Sequence, residues 1–146
     1  MKKGKKMERY KVILVDDEAE VIDMIEKKIH WNDLGFEVAG SATNGVKALE
    51  LVEKLQPDVV LTDIKMPYMD GLELSRRLNR EYPNIYIMLC TGFDEFEYAK
   101  EAVHLEIKEY MLKPVNATEL SESLTNLKHT PVSYTHLRAH ETCADL

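Results

Sequence analysis

The strongest constraint on this chain is an alternation: short apolar runs are separated by segments whose apolar residues recur at helical spacing. Residues 10–15 (YKVILV), 58–61 (DVVL) and 85–90 (IYIMLC) have strand length and little polar interruption, as expected for strands covered on both faces. Residues 36–42 and 107–112 are broken by Glu37, Gly40, Lys108 and Glu109, which suits sheet edges, where charge discourages unwanted pairing. Between them run helical stripes: Val21, Ile25 and Ile29; Ala48, Val52 and Leu55; Gly71, Leu74 and Leu78; Phe96, Ala99 and Val103; Leu120, Leu124 and Leu127. Asn44 is placed to cap the second of these, and Asn116 to Glu119 resembles a capping box before the last. Five such βα units predict an α/β, doubly wound parallel sheet with its continuous strands in the middle, in the order 2-1-3-4-5.

The chain has 146 residues, enough for one well-filled core and too few for two ordinary domains. The alternation predicts one domain over residues 10–128, a tail at 1–9 and a second tail at 129–146. That second tail shows neither periodicity. It resembles translated adapter or cloning sequence, a non-native read-through that would leave any following domain missing. Its His136 and His140 have i, i+4 spacing but lack the H-E-x-x-H arrangement of a helical metal site. A net charge of −7 argues against a nucleic-acid surface within the chain, since neutralising phosphates needs clustered cations. Lys2 to Lys6 form the single basic cluster, with no signal-peptide core after it and no run long enough to span a bilayer, so a cytoplasmic location without membrane contact is expected. Cys90 and Cys143 offer neither a disulfide framework nor metal spacing, and Cys90 reads as a small core residue.

Polar groups stand where the apolar runs stop: Asp16 and Asp17, Asp63, Thr91 and Lys113. In an open parallel sheet these ends share one edge, which is where such folds place their sites. Two carboxylates about 4 Å apart repel by roughly 4 kcal/mol at an effective dielectric near 20, so three together call for a counter-charge. An all-oxygen set with room for water and phosphate oxygens suits Mg²⁺ better than a caged Ca²⁺. Lys113 supplies a further positive charge, paired with Asp63 at rest, and Thr91 a hydroxyl donor. These parts match phosphoryl transfer to a carboxylate. Asp63 is the expected nucleophile, because it stands alone at the end of a central strand, whereas the adjacent Asp16 and Asp17 are better placed to hold metal.

The segments LVDDE (residues 14–18), LTDIKMPYMDGLEL (61–74), TGFDEFEYAKEA (91–102) and EYMLKP (109–114) resemble the receiver domain of bacterial two-component response regulators. The resemblance spans about residues 10–128 and implies a flavodoxin-like (βα)5 fold, whose strand order is the one already familiar from such folds. It implies that Asp63 accepts phosphate from the phosphohistidine of a sensor histidine kinase. It further implies that Asp16, through water, Asp17, Asp63 and the Lys65 backbone carbonyl hold Mg²⁺. Thr91 and Lys113 would grip the phosphoryl oxygens, and Tyr110 would move inward when Thr91 is drawn to the phosphate. The bond between Lys113 and Pro114 would be cis, and Asp70 with Gly71 would shape the turn after the site.

Within the family, Trp31 closing the first helix, the GF-E-V-G pattern of residues 35–40 and FEYAKEA resemble receivers of the YesN type. Those precede an AraC-type, DNA-binding helix-turn-helix output, and nothing after Lys128 resembles one. The expected protein is therefore a phosphorylation switch for transcription regulation whose DNA contact lies outside this chain. Its signal would spread over the face made by the fourth helix, fifth strand and fifth helix, through which a homodimer is plausible. Two rivals fit less well. A haloacid-dehalogenase-type phosphatase would carry D-x-D after its first strand, where this chain has Asp16-Asp17-Glu18. A flavodoxin-like flavin binder would carry a phosphate loop rich in Ser, Thr or Gly at the same place.

Overall fold

A computed structural model describes residues 9–92 and 109–129. The chain runs β1 (Tyr10–Val15), α1 (Ala19–Lys28), a single-turn α2 (Trp31–Leu34), β2 (Phe36–Ala42), α3 (Gly45–Leu55), β3 (Val59–Asp63), α4 (Gly71–Glu81), β4 (Tyr86–Thr91), β5 (Glu109–Leu112) and α5 (Ala117–His129). The five strands form one sheet in the order β2-β1-β3-β4-β5, and every pairing is parallel. This is the doubly wound parallel sheet expected from the alternation of apolar runs, in the flavodoxin-like order that the resemblance implied. Every residue of β3 and β4 is buried, whereas β5 buries Met111 alone, as a central and an edge position require.

Because side chains alternate across a strand, the sheet feeds two cores. One takes Val12 and Leu14, Val59 and Leu61, Met88 and Cys90, and Met111, covered by Ile22 and Ile25 of α1 and by Leu120, Leu124 and Leu127 of α5. The other takes Ile13, Val15, Val60 and Ile87, covered by Ala48 and Val52 of α3 and by Leu74 and Leu78 of α4. Each fully buried leucine or isoleucine among them contributes about 1.5–3 kcal/mol of transfer free energy. Val21 packs at the margin of the first core, and Ile22 goes deeper than the spacing had indicated. The stripe of Phe96, Ala99 and Val103 lies outside the described residues.

Three of the described helices start on a side-chain cap, two of them, at Asn44 and Asn116, as the sequence predicts. Asn44 accepts from the Lys47 N–H at 2.9 Å, Asp70 from Glu73 at 2.9 Å and Asn116 from Glu119 at 2.9 Å, each satisfying one orphan donor of a first turn. Trp31 corrects one expectation: it opens α2 instead of closing α1, which ends at Lys28 as Ile29 turns to extended backbone. The indole still ties back to α1, donating to the Glu26 carbonyl at 3.1 Å. Gly35 ends α2 at φ 89°, a conformation that costs a side-chain-bearing residue about 1–2 kcal/mol. That turn aims the chain into β2, where the Phe36 ring meets Tyr10 at 5.7 Å.

Candidate functional site

Parallel pairing brings the carboxyl ends of β1, β3, β4 and β5 to one edge. The ladder sets Val15 beside Thr62, Asp63 beside Cys90, and Thr91 beside Leu112, so Asp16, Asp63, Thr91 and Lys113 all emerge together. Ligand oxygens of Asp16, Asp17 and Asp63 lie within 4.8 Å of one another. Lys113 reaches into this group, its Nζ 2.7 Å from Asp63 Oδ1. The same oxygen accepts the Ile64 N–H at 2.9 Å. Lys113 is carried there by its backbone, which donates to the Thr91 carbonyl at 2.9 Å and ties the end of β5 to the end of β4.

The first strand end is held as firmly. Asp16 donates its N–H to the Ala42 carbonyl at 3.1 Å, and its Oδ1 accepts from Glu18 N at 2.9 Å, folding the chain into α1. Burial raises the Asp16 carboxyl from 3.8 to about 6; the Glu18 hydrogen bond and Lys113 oppose the rise, and the charges of Asp63 and Asp17 add to it. An edge that resists its own negative charge in this way is suited to a small hard cation. Its donors are all carboxylate oxygens, with Asp17 exposed to solvent and Asp16 and Asp63 buried, so the residues present fit Mg²⁺.

The remaining expected residues are placed less directly. Thr91 is buried, and its hydroxyl donates to the Gly92 carbonyl at 3.0 Å. Tyr110 sits back along β5, paired with Leu89 two positions before Thr91, so pleating puts Tyr110 and Thr91 on one face of the sheet. It is 37% exposed, and burial of its remainder raises the phenol pKa. Lys65 lies in the exposed loop two residues beyond Asp63. The Lys113-Pro114 bond is cis. Cys90, deep beside Asp63, has its thiol pushed up to about 12 by burial and is a core residue, not a nucleophile.

Gly71 shows why the turn after the site takes the residues it does. A Cβ there would collide with the Asp63 carbonyl oxygen, while the Gly71 N–H donates to the Ile64 carbonyl at 2.6 Å. The start of α4 therefore rests directly on the backbone of Asp63, with Asp70 capping it. Thr62 and Ser75, both fully buried at this contact, were not among the candidates. A polar residue inside DVVLTD was the available signal.

Two open grooves, of about 470 Å³ beside α2 and about 490 Å³ between Lys28 and α5, lie away from this edge. Among the described residues no helix is long and apolar enough to cross a membrane.

Comparison with known proteins agrees with this geometry. The family profile described as the response regulator receiver domain matches residues 12–125. The transcriptional regulatory protein YesN of Bacillus subtilis (strain 168) is 42% identical over 118 residues, which cover 81% of this chain and 32% of that protein. Transcriptional regulatory protein HptR of Staphylococcus aureus (strain NCTC 8325 / PS 47) is 34% identical over 121 residues, covering 83% and 47%. The chain thus spans a third to a half of these curated relatives. Among solved structures, the REC domain of AraT, a response regulator from Geobacillus stearothermophilus, superposes with a TM-score of 0.79 at 36% identity, covering 90% of this chain and 98% of that one. A two-component transcriptional regulator AraC from Clostridium phytofermentans gives 0.77 at 30% identity with the same coverage. With three carboxylates and a lysine meeting at the strand ends of this sheet, and a profile match across nearly all of its described core, the chain belongs to the response regulator receiver domain family.

Proposed function

We propose that this receiver is a phosphorylation-dependent switch in which Asp63 accepts a phosphoryl group from the phosphohistidine of a sensor histidine kinase. The observation that carries the reading is the 2.7 Å pair between the Lys113 ammonium and a buried Asp63 that shares its edge with two further carboxylates. An oxygen of Asp63 forms the new bond to phosphorus as the bond from phosphorus to the donor imidazole breaks, and the imidazole keeps the electron pair and takes a proton. Asp16, through water, Asp17, Asp63 and the Lys65 carbonyl would hold Mg²⁺. When bound, that ion supplies positive charge to the transferring phosphoryl oxygens.

Lys113 follows the negative charge from the Asp63 carboxylate to a phosphoryl oxygen. The Thr91 hydroxyl exchanges its bond to Gly92 for one to the phosphoryl group, and Tyr110, on the same face, responds to the vacated space. The phosphorylated state is favoured by the difference between these contacts in the two states. The altered surface includes β5 and α5, and it is the face for self-association. In a longer protein it would govern a DNA-binding output and so transcription, in the cytoplasm where the kinase donates phosphate. Residues 10–128 constitute the receiver; residues 1–9 and 129–146 stand outside it. The family match over residues 12–125 supports these limits.

Incubation with acetyl phosphate and MgCl₂, followed by intact mass, tests the central step. Wild type is expected to gain one phosphoryl group and Asp63→Asn none. A wild-type chain that stays unmodified with both acetyl phosphate and a panel of phosphorylated kinases would overturn the reading.

A further inference from the structure

We propose that the Thr62 hydroxyl is a positioning group for the Asp63 carboxylate, acting through the peptide that joins Asp63 to Ile64; the inference rests on Asp63 being the phosphoacceptor. That peptide is the first one beyond the sheet, since the β1 ladder ends at Val15 with Thr62 and the β4 ladder at Asp63 with Cys90. Its carbonyl oxygen accepts the Thr62 hydroxyl at 2.9 Å and lies against Gly71, where a Cβ would overlap it. Its N–H donates to Asp63 Oδ1 at 2.9 Å, the oxygen that also takes Lys113 Nζ.

The peptide unit is planar and rigid, so these two hydrogen bonds cannot be adjusted separately. A rotation that lets the carbonyl seek another donor swings the N–H away from the carboxylate. The following peptide is pinned as well, its Ile64 carbonyl accepting from Gly71 N at 2.6 Å, while the Ser75 hydroxyl holds the Gly71 carbonyl at 2.7 Å. Thr62 is therefore the side chain that bonds directly to the peptide presenting its N–H to the Asp63 carboxylate. Its neighbours in β3, Val59, Val60 and Leu61, are all buried and apolar. A valine at position 62 would complete that series at nearly the same volume, and a buried hydroxyl is costly to desolvate unless its hydrogen bond is used.

The test compares Thr62→Val and Thr62→Ala, which remove the hydroxyl, with Thr62→Ser, which keeps it. Two quantities are read in each folded variant: the acetyl phosphate concentration dependence of phosphorylation by intact mass with MgCl₂, and hydrogen exchange of the Ile64 amide in the unphosphorylated protein. For both hydroxyl-free variants the saturating rate is expected to fall about tenfold while the half-saturating concentration moves less than about twofold. The Ile64 amide should exchange about tenfold faster, consistent with loss of one hydrogen bond, and Thr62→Ser should restore both quantities to within about threefold of wild type. Wild-type rate and wild-type Ile64 protection in the hydroxyl-free variants would overturn the proposal, as would a serine variant as impaired as they are. If wild type takes no phosphoryl group from acetyl phosphate or from a panel of phosphorylated kinases, the phosphoacceptor reading fails, and the Ile64 exchange comparison still decides whether Thr62 positions the carboxylate.

Discussion

Replacing Asp16 by asparagine should make the metal-free protein more stable at neutral pH and remove part of its pH dependence. In the folded protein the Asp16 carboxyl holds its proton up to about pH 6, against an ordinary value of 3.8. Between those values the folded chain binds more protons than the unfolded one, so stability falls as pH rises; the penalty is absent below the lower value and complete above the higher. The interval is worth at most about 3 kcal/mol, and solvent reaching the edge beside exposed Asp17 reduces this to about 1–2 kcal/mol. Urea unfolding of wild type and Asp16→Asn at pH 5, 6, 7 and 8 with a chelator present measures the difference directly, because every other side chain is common to both proteins. The variant should gain stability over wild type as pH rises through 6 and hold a constant advantage above 7. Millimolar MgCl₂ should shrink that advantage, since a cation that prefers the folded wild type stabilises it by mass action. An advantage that is flat from pH 5 to 8, or a variant less stable than wild type at pH 8 without metal, would refute the view that burial and neighbouring charge strain this carboxylate.

Two other substitutions probe the same edge. Gly71→Ala places a methyl on the Asp63 carbonyl oxygen, and urea unfolding should show a loss of about 1–3 kcal/mol or more, as overpacking against backbone cannot be relieved by a rotamer change; unchanged stability would mean that α4 does not rest on Asp63. Lys113→Ala removes the ammonium 2.7 Å from Asp63 Oδ1, and the saturating rate of phosphorylation by acetyl phosphate should fall at least about tenfold, whereas a rate equal to wild type would leave Lys113 without a part in the transfer.

The reading from sequence succeeded where a residue's meaning depended on its own neighbours along the chain. Asn44 and Asn116 act on donors three residues away, so their capping bonds were visible in the local order, and Asp70, expected only to shape the turn after the site, caps α4 at the same spacing. Trp31 misled for the complementary reason. Its indole bonds to Glu26 within α1 although its backbone already belongs to the next turn, and side-chain type alone does not separate those two attachments.

What the sequence by itself determined is the sheet and the roster of its edge. Continuous apolar runs of strand length, separated by stripes of nearly four-residue period, mark strands covered on both faces by helices, and parallel crossovers then send every strand end to the same side. Asp16, Asp17, Asp63, Thr91 and Lys113 were identifiable on that ground alone. The tertiary structure decided how they engage: that Lys113 already holds Asp63, that Asp16 resists its charge, and that Thr91 is occupied with Gly92. It also decided the supports, Thr62, Gly71 and Ser75, whose relevance comes from α4 pressing on the backbone of β3. Hydrogen bonds act over about 3 Å and dehydration over little more, so both depend on distances that exist only once strands and helices have met.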